Sequence, residues 1–308
     1  MASILITHGV PTAGLEALRG HQIIIPAPLT AFSEEELLLH IAAADAVIAG
    51  GKLPGNVIRA GKNLKIIANY GAGYDGVDIA AAKACGIPVT NIPDTVTEST
   101  AELAVALMLS VSRRIGELNL KLRKAAPETL FGMGLNMGKT LRGQTLGIIG
   151  CGRIGRRVAQ MALAFGMNVL CHDPACADSL PLNELLPAAD IISLHCPLTE
   201  NTKHLMNAAA FKQMKRGALL INTARGGVVD YAALETALAD GTLLGAGLDV
   251  YPDEPHIPAA LLARDNVVCT PHIGANTEQT RRDMAAACAQ QILDALSGKR
   301  PENIVNGL

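Results

Sequence analysis

Tryptophan is absent from this chain of 308 residues, and only four phenylalanines and four tyrosines are present. Stacking of nucleic-acid bases on aromatic rings is therefore excluded as its mode of action. No excess of either charge exists: 26 Lys and Arg stand against 28 Asp and Glu, a net charge of −2. That balance lacks the basic footprint of a nucleic-acid or membrane-surface binder. The longest apolar stretch, Leu103–Val111, is too short to cross a bilayer. The opening Met1-Ala-Ser-Ile-Leu-Ile-Thr7 lacks a basic segment, so it reads as a first strand and not as a signal peptide. Seven cysteines (Cys85, Cys151, Cys171, Cys176, Cys196, Cys269 and Cys288) form no CxxC pair and sit mostly in apolar runs. They read as reduced, core-filling thiols of a cytoplasmic protein, with no metal site among them.

Aliphatic residues are what the chain has in plenty. Hydrophobic residues make up 49% and charged residues 18%, enough for a large core and incompatible with disorder. At roughly 150 residues per domain, two domains are expected. Short β-branched runs alternate with amphipathic segments, the pattern of parallel sheets flanked by helices. The first series predicts strands at Ile4–Thr7, Gln22–Ile25, Ala46–Ala49, Leu64–Ala68 and Pro88–Thr90, with helices between them. Ser99 to Arg123 then reads as one long helix, apolar nearly all round and so buried between domains or subunits. Its capping box is either Ser99-x-x-Glu102 or Thr95-x-x-Glu98. A second series predicts strands at Thr145–Ile149, Asn168–His172, Ile191–His195, Ala218–Asn222, Ala246–Val250 and Val267–Thr270. A final helix runs from about Thr277 to Leu296.

The run Gly150-Cys-Gly152-Arg153-Ile154-Gly155 places GxGxxG between a strand and a helix. Gly150 suits the tight turn, Gly152 a close approach of pyrophosphate to backbone, and Gly155 close helix–strand packing. The next strand ends at Asp173, 18 residues beyond Gly155. A carboxylate there accepts from the ribose hydroxyls of NAD and repels the 2′-phosphate of NADP, and Pro174, Ala175 and Cys176 bring no arginine. The expected cofactor is NAD. About 145 residues precede this fingerprint, so a separate α/β domain comes first and a cleft between domains is the expected substrate site.

Three polar residues follow strands of the second series: Arg225, Glu254 and His272. A guanidinium clamps a carboxylate bidentately, an imidazole moves a hydroxyl proton, and a carboxylate orients that imidazole. Together they suit oxidation of a 2-hydroxy acid. Taken singly, each also reads as an ordinary surface or structural residue.

Three runs resemble the D-isomer-specific 2-hydroxyacid dehydrogenases: Phe211–Asp230, Gly245–Pro255 and Thr270–Ala275. Ile67–Asp78 is similar to that family's first domain, so the resemblance spans essentially the whole chain. It implies two doubly wound, Rossmann-like domains with parallel sheets, the cofactor domain (99–283) inserted into a flavodoxin-like substrate domain (1–98 with 284–308). It implies Arg225, Glu254 and His272 as the catalytic trio. It further implies cofactor contacts from Gly150, Gly152, Arg153, Ile154, Gly155, Asp173, Thr202, Thr223, Ala224, Arg225, Asp249, His272 and Gly274. Substrate contacts would come from Ala72, Gly73, Arg225 and His272, and a homodimer would form through the 99–123 helix region.

The chain departs from the family pattern in places. Gly76 stands where Asn often follows Asp75, which alters a turn. Gly50, Gly51 and Lys52 stand where phosphoglycerate-oxidising members carry Arg and Ser, which argues against a phosphorylated substrate. The end at Leu308 leaves no room for the regulatory domain of some such members. The reading is an NAD-dependent reductase of a small 2-oxo acid, of the glyoxylate or hydroxypyruvate type. The alternatives are D-3-phosphoglycerate dehydrogenase and an NAD-sensing corepressor-like binding protein.

Overall fold

Runs of Ile, Leu, Val and Ala without polar alternation form strands covered on both faces. The computed structural model describes residues 1–124 and 127–308. It contains two compact units, residues 1–96 with 275–308, and residues 97–274. The first holds five parallel strands, β1 (Ser3–Ile6), β2 (Gln22–Ile24), β3 (Ala46–Ala49), β4 (Ile66–Asn69) and β5 (Val89–Thr90). Their order is β2-β1-β3-β4-β5. On one face Leu5, Val47 and Ile67 meet Leu37, Ile41, Val57, Ile58 and Ala82 from α1 (Glu34–Ile41), α2 (Gly55–Ala60) and α3 (Ile79–Ala84). Helix α1 starts at a capping box in which Glu36 and Ser33 satisfy one another's backbone N–H groups.

The second unit opens with α4 (Thr97–Ser112) and α5 (Ile115–Lys124). Its strands are β6 (Thr145–Ile149), β7 (Asn168–His172), β8 (Ile191–Leu194), β9 (Ala218–Asn222), β10 (Leu243–Leu248) and β11 (Val267–Cys269). All are parallel, in the order β11-β10-β9-β8-β6-β7. One face is covered by α4 and α6 (Arg153–Ala164), the other by α7 (Leu182–Ala188), α8 (Ala208–Gln213) and α9 (Tyr231–Ala239). Short α10 (Ala259–Leu262) precedes β11. The chain then returns to the first unit as α11 (Glu278–Leu296), placing Met284, Cys288 and Ile292 against Ile4, Ile48 and Ile66. The fold class is the expected one.

Four details differ from the expectations. The single helix over 99–123 is two, because Arg114 takes φ +56° and ends α4, its guanidinium turning to Glu117 at 2.6 and 2.7 Å. Ser99 lies inside α4 and the Thr95 hydroxyl donates to the Ile92 carbonyl at 2.9 Å, so neither expected box forms as such. The return to the first unit falls at Ala275 and not 284, since α11 is one continuous helix pinned there by Gln291. Gln291 accepts from Thr90 Oγ1 at 2.7 Å and donates to the Asn91 carbonyl at 2.9 Å. Cys151 and Cys171 form a disulfide with Cα atoms 6.5 Å apart, where seven free thiols were expected. Cys171 lies in β7 and Cys151 in the glycine loop just beyond β6, the strand paired with β7, a proximity that sequence spacing does not display.

Candidate active site

Strand β9 ends on fully buried Asn222, whose Oδ1 accepts from the Ala224 N–H and whose Nδ2 donates to the Arg225 carbonyl, both at 3.0 Å. This clamp fixes the backbone on both sides of Arg225, which is half-buried and donates from Nη1 to the Ala224 carbonyl at 2.8 Å. The next residue must be glycine. A Cβ at Gly226 would stand 2.0 Å from the Tyr251 carbonyl carbon, so only glycine lets the Arg225 loop lie against the Glu254 loop.

Strand β10 leads into Asp249, which is buried. Its Oδ1 accepts from Thr270 Oγ1 at 2.7 Å and the Ile273 N–H at 2.8 Å, and its Oδ2 from the Gly274 N–H at 2.9 Å. The His272 N–H donates to the Asp249 carbonyl at 2.9 Å. Asp249 thereby holds His272 at φ +52°, a left-handed conformation uncommon for a residue with a side chain. His272 Nδ1 donates to Glu254 Oε2 at 2.7 Å, while Glu254 Oε1 accepts from the Tyr251 N–H at 2.9 Å. Burial works to raise the Glu254 carboxyl pKa. The hydrogen bonds from His272 and Tyr251 and the charges of His272 and Arg225 outweigh it, holding the group below the usual carboxylate range. With Nδ1 committed to a carboxylate, Nε2 is the ring atom left for proton transfer.

The glycine loop lies at the end of β6, where strand order reverses between β6 and β8. Gly150 has φ +95°, and a Cβ there would stand 2.5 Å from the Cys196 nitrogen. A Cβ at Gly155 would stand 2.1 Å from the Gly150 carbonyl oxygen, the close helix–strand contact expected of it. A Cβ at Gly152 would enter open space at the N-terminus of α6, the space a pyrophosphate requires. Arg153 and Ile154 begin the helix beside it. Asp173 follows β7, accepting from the Cys151 N–H at 2.7 Å and the Ala175 N–H at 2.9 Å. Its carboxylate is therefore fixed relative to the glycine loop. The Thr223 hydroxyl is buried at the end of β9 with no protein partner, an orphan that a polar ligand would satisfy. The Thr202 hydroxyl donates to the Pro197 carbonyl at 2.6 Å, so it shapes its own loop. These features fit a dinucleotide.

In the first unit, β4 ends on buried Asn69, whose Nδ2 donates to the Gly71 and Gly73 carbonyls at 2.9 Å each. Asn91 Nδ2 donates to the Ala72 carbonyl at 2.7 Å. These bonds fix the backbone of the Gly71–Gly73 turn through all three of its carbonyls. Asn69, Asn91, Asn222 and Tyr251 are the site residues that sequence reasoning missed. An asparagine ending an apolar strand, as at Asn69 and Asn222, was the available signal.

A family model described as the NAD binding domain of the D-isomer specific 2-hydroxyacid dehydrogenases matches residues 105–274. The chain belongs to this family. A hydroxypyruvate reductase of Thermotoga maritima is 42% identical over 274 residues, covering 85% of this chain and 88% of the relative. A D-3-phosphoglycerate dehydrogenase of Methanocaldococcus jannaschii is 39% identical over 90% of this chain, which spans only 54% of that relative. An NADPH-dependent glyoxylate/hydroxypyruvate reductase from Sinorhizobium meliloti, solved with NADP and malonate, superposes with TM-score 0.87 at 32% identity. That comparison covers 99% of this chain and 96% of the other. This 2-hydroxyacid dehydrogenase is an oxidoreductase with an NAD-binding domain, and no helix among the described residues is long and apolar enough to cross a membrane.

Proposed function

We propose that this dehydrogenase reduces a short, unphosphorylated 2-oxo acid of the glyoxylate or hydroxypyruvate kind with NADH. The observation that carries the reading is the 2.7 Å bond between His272 and Glu254 on a loop adjoining that of Arg225. Bound nicotinamide supplies the hydride for C2. His272 gives the proton from Nε2 to the C2 oxygen as the carbonyl becomes a hydroxyl, and Glu254 orients the ring through its bond to Nδ1. Arg225 binds the substrate carboxylate and polarises the carbonyl with its planar fork. Ala72 and Gly73 are assigned to substrate binding. Gly150, Gly152, Arg153, Ile154, Gly155, Asp173, Thr202, Thr223, Ala224, Asp249 and Gly274 are assigned to the cofactor side.

NADH is favoured over NADPH because Asp173 offers a carboxylate fixed by two N–H groups, and the residues after it bring no arginine. A homodimer is inferred from Ile115, Leu120, Leu122, Phe131, Met133 and Met137, large apolar side chains that are all exposed. A cytoplasmic setting rests on the five unpaired cysteines, against the one pair. Steady-state kcat/KM for glyoxylate, hydroxypyruvate, pyruvate and phosphohydroxypyruvate, with either cofactor, tests the assignment. Hydroxypyruvate or glyoxylate with NADH is expected to lead. A tenfold advantage for the phosphorylated acid would overturn it.

A further inference from the structure

The first unit has its own topological reversal, between β1 and β3, and ligands of open α/β sheets gather beyond the strand ends at such a point. His8 follows β1 there, and Gly50 and Gly51 follow β3. Three hydrogen bonds tie these ends together around one hydroxyl. The Gly50 N–H donates to Thr7 Oγ1 at 2.9 Å, Thr7 Oγ1 donates to the Gly50 carbonyl at 2.9 Å, and Thr7 Oγ1 meets His8 Nδ1 at 2.9 Å.

The network determines the imidazole tautomer. A carbonyl only accepts, so the single hydroxyl proton of Thr7 goes to Gly50, and His8 Nδ1 must be the donor to Thr7 Oγ1. Nε2 then carries the lone pair. Burial lowers the pKa of the half-buried ring, which keeps it neutral and Nε2 an acceptor. The ring lies over the glycine pair: a Cβ at Gly51 would stand 2.9 Å from Nε2. Glycine at 51, with φ +73°, brings no side chain of its own against that nitrogen.

Strand spacing supplies the scale. β1, β3 and β4 are consecutive neighbours in the sheet, so the ends of β1 and β4 lie roughly 10 Å apart, and the His8 ring, resting on Gly51 after β3, reaches across part of that distance. A three-carbon acid with a hydrogen bond at each end has a length of this order. We propose that His8 is a specificity residue whose Nε2 accepts a hydrogen bond from a C3 hydroxyl, selecting hydroxypyruvate-type acids over those lacking it. The proposal rests on the reading of the chain as a reductase of short 2-oxo acids, with the carboxylate at the Ala72–Gly73 turn.

Hydroxypyruvate and pyruvate differ by that hydroxyl alone, so the ratio of their kcat/KM values reads the contact. The wild-type ratio is expected to be tenfold or more in favour of hydroxypyruvate, and His8→Phe and His8→Ala to reduce it at least tenfold. Using a ratio removes any common loss from altered folding or cofactor binding. A wild-type ratio near one, or a ratio unchanged in both variants, would overturn the role of His8 and leave the reductase reading standing. Wild-type enzyme that reduces none of the 2-oxo acids would overturn that reading and this proposal with it.

Discussion

His272 sits in a backbone conformation that a histidine adopts only when its surroundings insist, and Asp249 supplies the insistence through bonds to both sides of the loop. Removing the imidazole should therefore leave the scaffold in place. His272→Ala is expected to lower kcat by roughly 10²–10⁴-fold with NADH binding near wild type, measured by fluorescence titration. Near-normal turnover would take His272 out of the proton path. Arg225→Lys keeps the charge and loses the fork, so KM should rise and kcat fall together. An unchanged KM for the 2-oxo acid would make Arg225 structural. Asp173→Ala combined with Ala175→Arg should move preference from NADH towards NADPH, as a repulsive carboxylate gives way to a phosphate partner. Wild-type preference for NADPH would contradict the role given to Asp173. Arg225, Glu254, His272 and Asp173 were legible because each follows a strand and carries a chemistry of its own. Asn69, Asn91 and Asn222 were not, since a buried amide acts only through the carbonyls and N–H groups that folding brings to it.

Helices α4 and α5 show where element boundaries escape the sequence. Good helix formers run through both, and the break at Arg114 follows from the ion pair with Glu117 and from α4 filling one face of the second sheet. Glu117 is buried on α5, and Arg114 first, then Lys121, hold its carboxyl down at about 2 against the opposing effect of burial. A depressed carboxyl stabilises the fold above its unfolded value and loses that contribution as pH falls through the folded one. Glu117→Gln should therefore cost roughly 1–2 kcal/mol at pH 7, since both cationic partners are about one-third exposed and partly screened. The difference from wild type should shrink between pH 4.5 and about 2. Denaturant melts at pH 7 and pH 2.5 measure it, and a gap that persists at low pH would rule out the ion pair as its source. Strand positions, by contrast, were legible to within two or three residues, because runs such as Ala46–Ala49 and Ala218–Asn222 are bounded by turn residues and buried throughout.

At the scale of the molecule, the exposed apolar side chains between Ile115 and Met137 set the expectation of a second copy. Sedimentation should give a species near twice 32.1 kDa, and Leu120→Glu with Leu122→Glu should shift it towards the monomer. A wild-type monomer at micromolar concentration would refute the homodimer. The sequence by itself determined the class of the fold, the two α/β series, the glycine cradle and the polar residues that end the strands. It could do so because strand periodicity, glycine geometry and side-chain chemistry are local properties. Only the tertiary structure decided that the whole of α11 belongs to the first unit from Ala275 on, that Cys151 meets Cys171, and that the Arg225 loop lies against the Glu254 loop. It alone also brought Thr7 and Gly50, more than forty positions apart, together beside His8. Those outcomes depend on which strands become neighbours, and no spacing along the chain carries that information.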